Sequence, residues 1–312
     1  MANADAIGHR AGAGQSPLIV ASDSSTASKG GGWAIQTQGL RCSLGGRVVL
    51  DGLDLAIRPG QFVGVFGANG AGKTTLLRAL LGLQPLQAGQ LRLLGQDGVS
   101  KRRLIGYVSQ RDPVGADSFL RVRSYVAAAW QGERWGLGLR HAAQRMQAVE
   151  AALQAVDMAS LAERGMDSLS GGQRQRARIA QALVNPVRIL LLDEPLSNLD
   201  PQAQQRILQT ARRLCTEQGL TVLMTAHDIN PLLPHMDQVL YLAGGRGRLG
   251  TVDEVVNGPT LSALYGMPMA VARDGGYRFI HPVGGFIPEE ASHCGHDHGH
   301  GEVDPSDLGD GA

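Results

Sequence analysis

The run Gly67-Ala68-Asn69-Gly70-Ala71-Gly72-Lys73-Thr74 constrains this chain more than any other, because it fits the pattern G-x-x-x-x-G-K-[ST] of a phosphate-cradling loop. Glycines at these spacings let the backbone turn tightly enough to aim several N–H groups inward, and the positive end of a following helix adds to the anion-binding field. The flanks agree: Gln61-Phe62-Val63-Gly64-Val65-Phe66 reads as a short buried strand, and residues 75–83 have the apolar spacing of a helix. Lys73 is one of three lysines, with Lys29 and Lys101, in an arginine-rich chain. A slim ammonium reaches β- and γ-phosphates where a broad guanidinium does not fit. The loop therefore predicts a bound nucleoside triphosphate.

Composition narrows the class. The 312 residues are 43% hydrophobic without a long apolar run, which fits a soluble globular protein and leaves no segment to span a bilayer. A net charge of +1 provides no basic face on the scale that nucleic acid requires, so no nucleic-acid partner is expected. Cys42, Cys215 and Cys294 are odd in number and scattered, which fits reduced thiols in the cytoplasm better than a disulfide framework. Residues 1–32 are rich in Ala, Gly and Ser, and their only apolar run, Leu18-Ile19-Val20-Ala21, is too short for a secretion signal. A disordered leader is expected there.

Along the chain, residues 33–59 alternate in short β-like runs broken by Gly45-Gly46 and Asp51-Gly52, which predicts an antiparallel hairpin before the loop strand. Further β segments are expected at 90–94 and 103–109, the latter ending at Gln110. Residues 122–163, including 141–156, turn to Ala, Gln and Leu at helical spacing, so a helical insert of about residues 111–165 is expected to interrupt the core. Residues 188–192 and 220–225 are continuous apolar runs typical of buried parallel strands, separated by a helix-like stretch at 203–217. The expected fold is α/β: a P-loop NTPase wound sheet with an antiparallel β subdomain and a helical insert, occupying 33–245. A small extension follows at 246–284, with two short strands around Asp274-Gly275-Gly276, and then a mobile tail at 285–312.

Two more motifs carry chemistry. Ile189-Leu190-Leu191-Leu192-Asp193-Glu194 is an apolar strand ending in two carboxylates. In a P-loop ATPase the first acid supports Mg²⁺ together with the Thr74 hydroxyl, and the second orients and deprotonates the water that attacks the γ-phosphorus. Leu169-Ser170-Gly171-Gly172-Gln173 then places a hydroxyl and two glycines at the start of a helical stretch, a second anion-binding device that is also an ordinary capped turn.

Taken in order, the P-loop, Gln110, residues 169–173, the Asp193-Glu194 strand, Ser197-Asn198-Leu199-Asp200 and His227 resemble the ATP-binding subunits of ABC transporters over about residues 33–282. The resemblance implies ATP held by Gly67 to Thr75 and a head-to-tail homodimer. In it, Ser170 and Gly172 of one copy touch the γ-phosphate on Lys73 of the other, with Gly171 and Gln173 of the same run also counted among the nucleotide-binding residues. It makes Glu194, His227, Gln110 and Lys73 the catalytic set, with His227 on the γ-phosphate and Gln110 linking Mg²⁺ and water to the helical insert. It implies that residues 111–130, Arg111 to Trp130, dock on a separate membrane permease, and that Asp200 lies at the dimer seam, with a plain helix N-cap as the alternative. One position departs: family members usually stack an aromatic residue on adenine where this chain has Leu44, so weaker base selectivity is expected.

The tail and two internal segments bear on cargo. His293-Cys294-Gly295-His296-Asp297-His298-Gly299-His300 packs four imidazoles and a thiol into eight positions, a composition suited to Zn²⁺, with Cu, Ni and Co as competitors. It also reads as a low-complexity polar tail with no fixed ligand. Residues 225–232 and Leu264-Tyr265-Gly266-Met267-Pro268 are similar to the zinc and manganese importer branch of the family. The resemblance implies a peripheral subunit on the inner face of the membrane whose permease receives metal, zinc first and manganese second, from an extracytoplasmic binding protein. Siderophore or vitamin uptake and efflux are further cargo readings.

Overall fold

The computed structural model describes residues 32–97, 101–110, 119–130 and 141–283; the leader, most of the segment after Gln110 and the histidine-rich tail lie outside the described residues. Strands β1 (Ile35–Leu44) and β2 (Arg47–Ile57) form the expected hairpin, and β1 also pairs with β4 (Ala88–Leu93), which pairs with β5 (Gln96–Asp97). Asp51-Gly52, expected to break the run, does not end β2. The register shifts between Leu40↔Leu53 and Cys42↔Leu50, and Gly52 takes φ 72°, so the extra residue is absorbed as a bulge.

The main sheet has six strands in the order β10-β9-β3-β8-β7-β6. These are β3 (Phe62–Phe66), β6 (Ile105–Val108), β7 (Ile189–Leu192), β8 (Thr221–Thr225), β9 (Gln238–Ala243) and β10 (Arg246–Gly250). All neighbours are parallel except β10, which runs antiparallel to β9. The sheet thus reaches Gly250, five residues into the stretch assigned from sequence to the C-terminal extension.

Period-two alternation divides the core across this sheet. Phe62, Phe66, Leu190 and Leu192 face one apolar cluster, whereas Val63, Val65, Ile189 and Leu191 join Ile35, Leu50 and Leu53 of the antiparallel sheet in the other. The helix after the P-loop, α1 (Lys73–Leu81), adds Leu76, Leu77 and Leu80 to that second cluster. Each such leucine contributes about 1.5–3 kcal/mol by leaving water, so the loop is bolted to buried structure at both ends. The helix starts two residues earlier than expected and stops at Gly82, whose left-handed backbone closes it.

On the other face lie α2 (Val122–Ala127), α3 (Ala142–Ala155), α4 (Gly171–Leu183) and α5 (Pro201–Gln218). The expected helical insert is α2 and α3, with a 3₁₀ turn at Ala159–Leu161, packed on α4 through Tyr125, Val126, Val149 and Leu153. The chain continues through α6 (Val252–Val255) and α7 (Gly258–Tyr265) to a hairpin of β11 (Met269–Asp274) and β12 (Tyr277–Pro282), which turns at Gly275-Gly276 as expected. Among the described residues no helix is long and apolar enough to cross a membrane.

Candidate nucleotide and hydrolysis site

Strand β3 ends under the antiparallel sheet, and the chain must turn at once into α1, which only glycine permits at two points. A Cβ on Gly67, at φ 144°, would sit 2.3 Å from the Leu242 carbonyl oxygen, and one on Gly72, at φ 103°, would sit 2.7 Å from the Leu50 side chain. The loop these glycines shape wraps Lys73, whose ammonium donates to the Gly67 and Ala68 carbonyls at 2.8 and 3.3 Å. Lys73 is 6% exposed. Burial pulls its pKa below the ordinary lysine value, and the charges of Glu194 and Asp193 work against that shift. An ammonium so desolvated interacts strongly with an entering polyphosphate, because less water screens it.

Asp193 leaves the end of β7 almost fully buried, and hydroxyls compensate it. Thr225 donates to its Oδ1 at 2.9 Å, while Thr74 and Tyr107 reach Oδ1 and Oδ2 at 3.4 Å. Burial, then the neighbouring Asp193, raises the Tyr107 phenol above its usual pKa, so it stays a donor. The hard oxygens of Thr74 and Asp193, adjacent at the base of the loop, form the donor set that Mg²⁺ prefers.

Glu194 is held on three sides. Its N–H donates to the Thr225 hydroxyl at 2.8 Å, its Oε2 accepts from Gln110 Nε2 at 2.6 Å, and its Oε1 lies 2.9 Å from His227 Nε2. Its backbone has φ 50°, a left-handed conformation that costs a non-glycine residue about 1–3 kcal/mol and concentrates at functional sites. Lys73, Thr74, Gln110, Asp193, Glu194 and His227, chosen from sequence, thus converge. Gln110 contacts Glu194 rather than the Thr74 and Asp193 pair expected to hold Mg²⁺. The contacts of Thr225 and Tyr107 were not anticipated: Thr225 was read only as the end of an apolar run and the start of the 225–232 stretch, and Tyr107 meets Asp193 only because β6 pairs with β7.

The second anion-binding device lies elsewhere. Ser170 caps α4 in a reciprocal capping box, with Gln173 N–H on Ser170 Oγ at 3.3 Å and Ser170 N–H on Gln173 Oε1 at 3.0 Å. Asp200 caps α5 through the Ala203 N–H at 2.9 Å, with Pro201 in the first turn, as its structural reading anticipated. A Cβ on Gly172 would lie 2.7 Å from Ala203, so the two helix starts touch and share a pocket of about 90 Å³ with Arg176 and Arg206. No residue of the P-loop lines that pocket. Leu44, at the tip of the β1–β2 hairpin, is 54% exposed and open to a ligand. His293, Cys294, His296, His298 and His300 lie outside the described residues, as does Arg111; among the described residues no cluster of three or more metal-ligating side chains occurs.

Comparison with known proteins agrees with this geometry. The ABC transporter family model matches residues 50–197. The hemin import ATP-binding protein HmuV of Pseudomonas aeruginosa is 37% identical over 250 residues, covering 77% of this chain and 95% of that protein. The zinc import ATP-binding protein ZnuC 1 of Hahella chejuensis is 33% identical over 236 residues, covering 76% and 85%, and the manganese transport system ATP-binding protein MntB of Bacillus subtilis is 34% identical over 226 residues, covering 72% and 90%. Phosphonate and aliphatic sulfonate import ATP-binding proteins match at 33% and 37%. Among solved structures, an inward-facing metal-chelate type ABC transporter superposes with TM-score 0.65 at 27% identity, covering 80% of this chain and 97% of that one. With the phosphate loop, the paired acids and the capped second helix all in place, the chain belongs to the ATP-binding subunits of ABC transporters and is an ATPase of the importer type.

Proposed function

We propose that this ATPase energises uptake of a transition-metal ion, zinc foremost, working as a homodimer beneath a separate membrane permease. The observation that carries the hydrolytic part is the suspension of Glu194 between Gln110 and His227 beside Lys73. ATP enters with its phosphates over the loop amides, and Lys73 exchanges the Gly67 and Ala68 carbonyls for the β- and γ-phosphates. Thr74 and Asp193 hold Mg²⁺, which when bound neutralises phosphate charge. Glu194 takes a proton from the water that attacks the γ-phosphorus in line; the new P–O bond forms as the bond to the β-phosphate oxygen breaks, and ADP leaves with that electron pair. His227 holds the γ-phosphate side of this arrangement. The placement of Ser170 and Gly172 in a pocket that no P-loop residue lines supports a composite site, in which a second copy supplies them. ATP binding then closes the dimer and hydrolysis reopens it, and the difference in affinity between those states moves the permease, docked at 111–130. The exposure of Phe119 and Leu120, at 89% and 46%, supports that docking face.

The cargo rests on the histidine-rich run 293–300 and on the resemblance to ZnuC 1 and MntB. An extracytoplasmic binding protein delivers the metal, and the run chelates Zn²⁺ on the inner side. The 37% identity to HmuV favours a second cargo, an iron chelate. Growth of a deletion strain in chelated medium separates them: the proposal predicts rescue by micromolar zinc. Rescue by manganese alone or by hemin alone would overturn zinc.

A further inference from the structure

His227 is held by Glu194 on its ring side, and the turn that follows it is pinned by the C-terminal hairpin. Three residues on, Asn230 opens a 3₁₀ turn (Asn230–Leu232) and spends its whole side-chain amide on two partners. Its Nδ2 donates to Asp228 Oδ1 at 2.9 Å and to the Arg278 carbonyl at 3.3 Å, while its Oδ1 accepts the Arg278 N–H at 2.7 Å. The Asn230 backbone N–H also reaches Asp228 Oδ1 at 2.9 Å. The side chain therefore acts as a strand neighbour to the Arg278 peptide on β12, 48 residues away, while closing the turn that follows His227.

Arg278 is in turn fixed to the body of the protein. Its side chain is 13% exposed, donating from Nη2 to Asp253 Oδ1 at 2.7 Å and from Nη1 to the Val256 carbonyl at 3.2 Å. A pocket of about 600 Å³ opens beside this chain of bonds, with His227, Asn230, Tyr241 and Tyr265 on one side and Met269 and Arg278 of the hairpin on the other. His227 is therefore flanked by open space, and about half of its side chain, 52%, is exposed there, with Glu194 as its ring's hydrogen-bond partner. The Asn230 clamp adds a second restraint, on the turn that follows His227.

We propose that Asn230 is a positioning residue for His227, through which the β11–β12 hairpin sets the rate of ATP hydrolysis. This rests on the hydrolytic role given to His227 above. The clamp touches neither the P-loop nor Leu44, so it acts on turnover and not on nucleotide binding. Partners in one hydrogen-bonded chain also give non-additive effects when mutated together.

The test uses the full chain, with single-turnover hydrolysis and ATP binding measured for Asn230→Ala, Asn230→Asp, Arg278→Ala and His227→Ala, and for His227→Ala combined with Asn230→Ala. Asn230→Asp keeps an acceptor for the Arg278 N–H but loses both donors, so it behaves as Asn230→Ala does. Both are expected to slow hydrolysis about tenfold, with Kd for ATP within about twofold of the parent, and the double variant is expected to be no slower than His227→Ala. Arg278→Ala, which keeps the Arg278 peptide but removes its bonds to Asp253 and the Val256 carbonyl and leaves the hairpin tied to Asp253 only through Arg273 at 3.1 Å, is expected to slow hydrolysis in the same direction by a smaller factor and covers the case in which the Asn230 variants fail to fold. Unchanged hydrolysis in all three clamp variants, or effects of Asn230→Ala and His227→Ala that multiply, would overturn the proposal. If His227→Ala itself hydrolyses ATP at the parent rate, the failure lies instead with the role assigned to His227.

Discussion

Replacing Thr225 by valine exchanges one oxygen for a methyl at nearly constant volume, at a site with no measurable exposure. Two bonds are lost. One is the 2.9 Å donation to the Asp193 carboxylate, a hydrogen bond to a charged group worth about 1.5–3 kcal/mol. The other is the 2.8 Å contact from the Glu194 N–H, a neutral bond worth about 0.5–1.5 kcal/mol. Their sum, about 2–4.5 kcal/mol, is the expected loss of stability, and in a chain of 312 residues, at about 1.5 °C per kcal/mol, it lowers Tm by about 3–7 °C. Catalysis is expected to suffer as well. The Thr225 hydroxyl is what holds the left-handed Glu194 backbone against its strain, and releasing the carboxylate from its place between Gln110 and His227 should cost about 10- to 100-fold in kcat, or roughly 1.4–2.7 kcal/mol of barrier. Thermal melting with and without ATP, combined with phosphate-release kinetics, separates the two effects. Thr225→Ser, which keeps the hydroxyl, should recover most of the rate. A valine variant that melts within about 2 °C of the parent and hydrolyses ATP within about twofold of it would refute the reasoning from Thr225 to Glu194.

Two further outcomes are open to direct measurement. Leu44→Tyr offers adenine a stacking face that the exposed leucine lacks, so Kd for ATP should fall about fivefold or more and the ATP-over-GTP preference should rise, as read by competition binding; unchanged affinity would place the base away from the hairpin tip. Burial raises the Cys215 thiol to about 12 from an ordinary value of 9.0. Its contribution to stability is therefore complete below about 9 and is lost as pH rises toward 12, because the unfolded chain gives up a proton that the folded chain keeps. In a Cys294→Ser background, labelling of Cys215 and Cys42 by a thiol reagent at pH 8 should follow global unfolding, and rapid labelling of the native protein would contradict the burial.

What the amino-acid sequence revealed, and what it hid, follows from the range of the interactions. Gly67, Gly72 and Lys73 were readable because the tight turn between β3 and α1 is a local demand on the backbone, met within eight residues. Asp193 and Glu194 were readable because two carboxylates at the end of an apolar strand need a reason to be there. Thr225 and Tyr107 carried no such mark. Threonine suits a strand and tyrosine suits a sheet edge, and their contacts with Asp193 exist only because β8 and β6 flank β7, a pairing across 32 and 86 positions that no local pattern records. Asp51-Gly52 misled in the opposite way, since a pair that commonly ends a strand is equally suited to a bulge inside one. The β9–β10 pair was overlooked for a related reason: β10 has glycine at two of its five positions and little apolar content, and it belongs to the sheet only through β9. The clamp between Asn230 and Arg278 lay beyond reach altogether, because an asparagine before a proline reads as a turn whatever it binds.

The central claim is that Glu194, suspended between Gln110 and His227, is the base that activates water at a site completed by a second copy of the chain. Glu194→Gln tests it most directly, since the amide keeps the shape and the contact geometry while removing the proton acceptor. Light scattering and phosphate release on the same sample, with ATP and Mg²⁺ present, give both halves of the answer. The expected result is ATP affinity close to the parent, a dimer that persists as long as ATP is present, and turnover reduced by at least about a thousandfold. Hydrolysis at a rate near the parent's, or an ATP-loaded chain that stays monomeric, would contradict it.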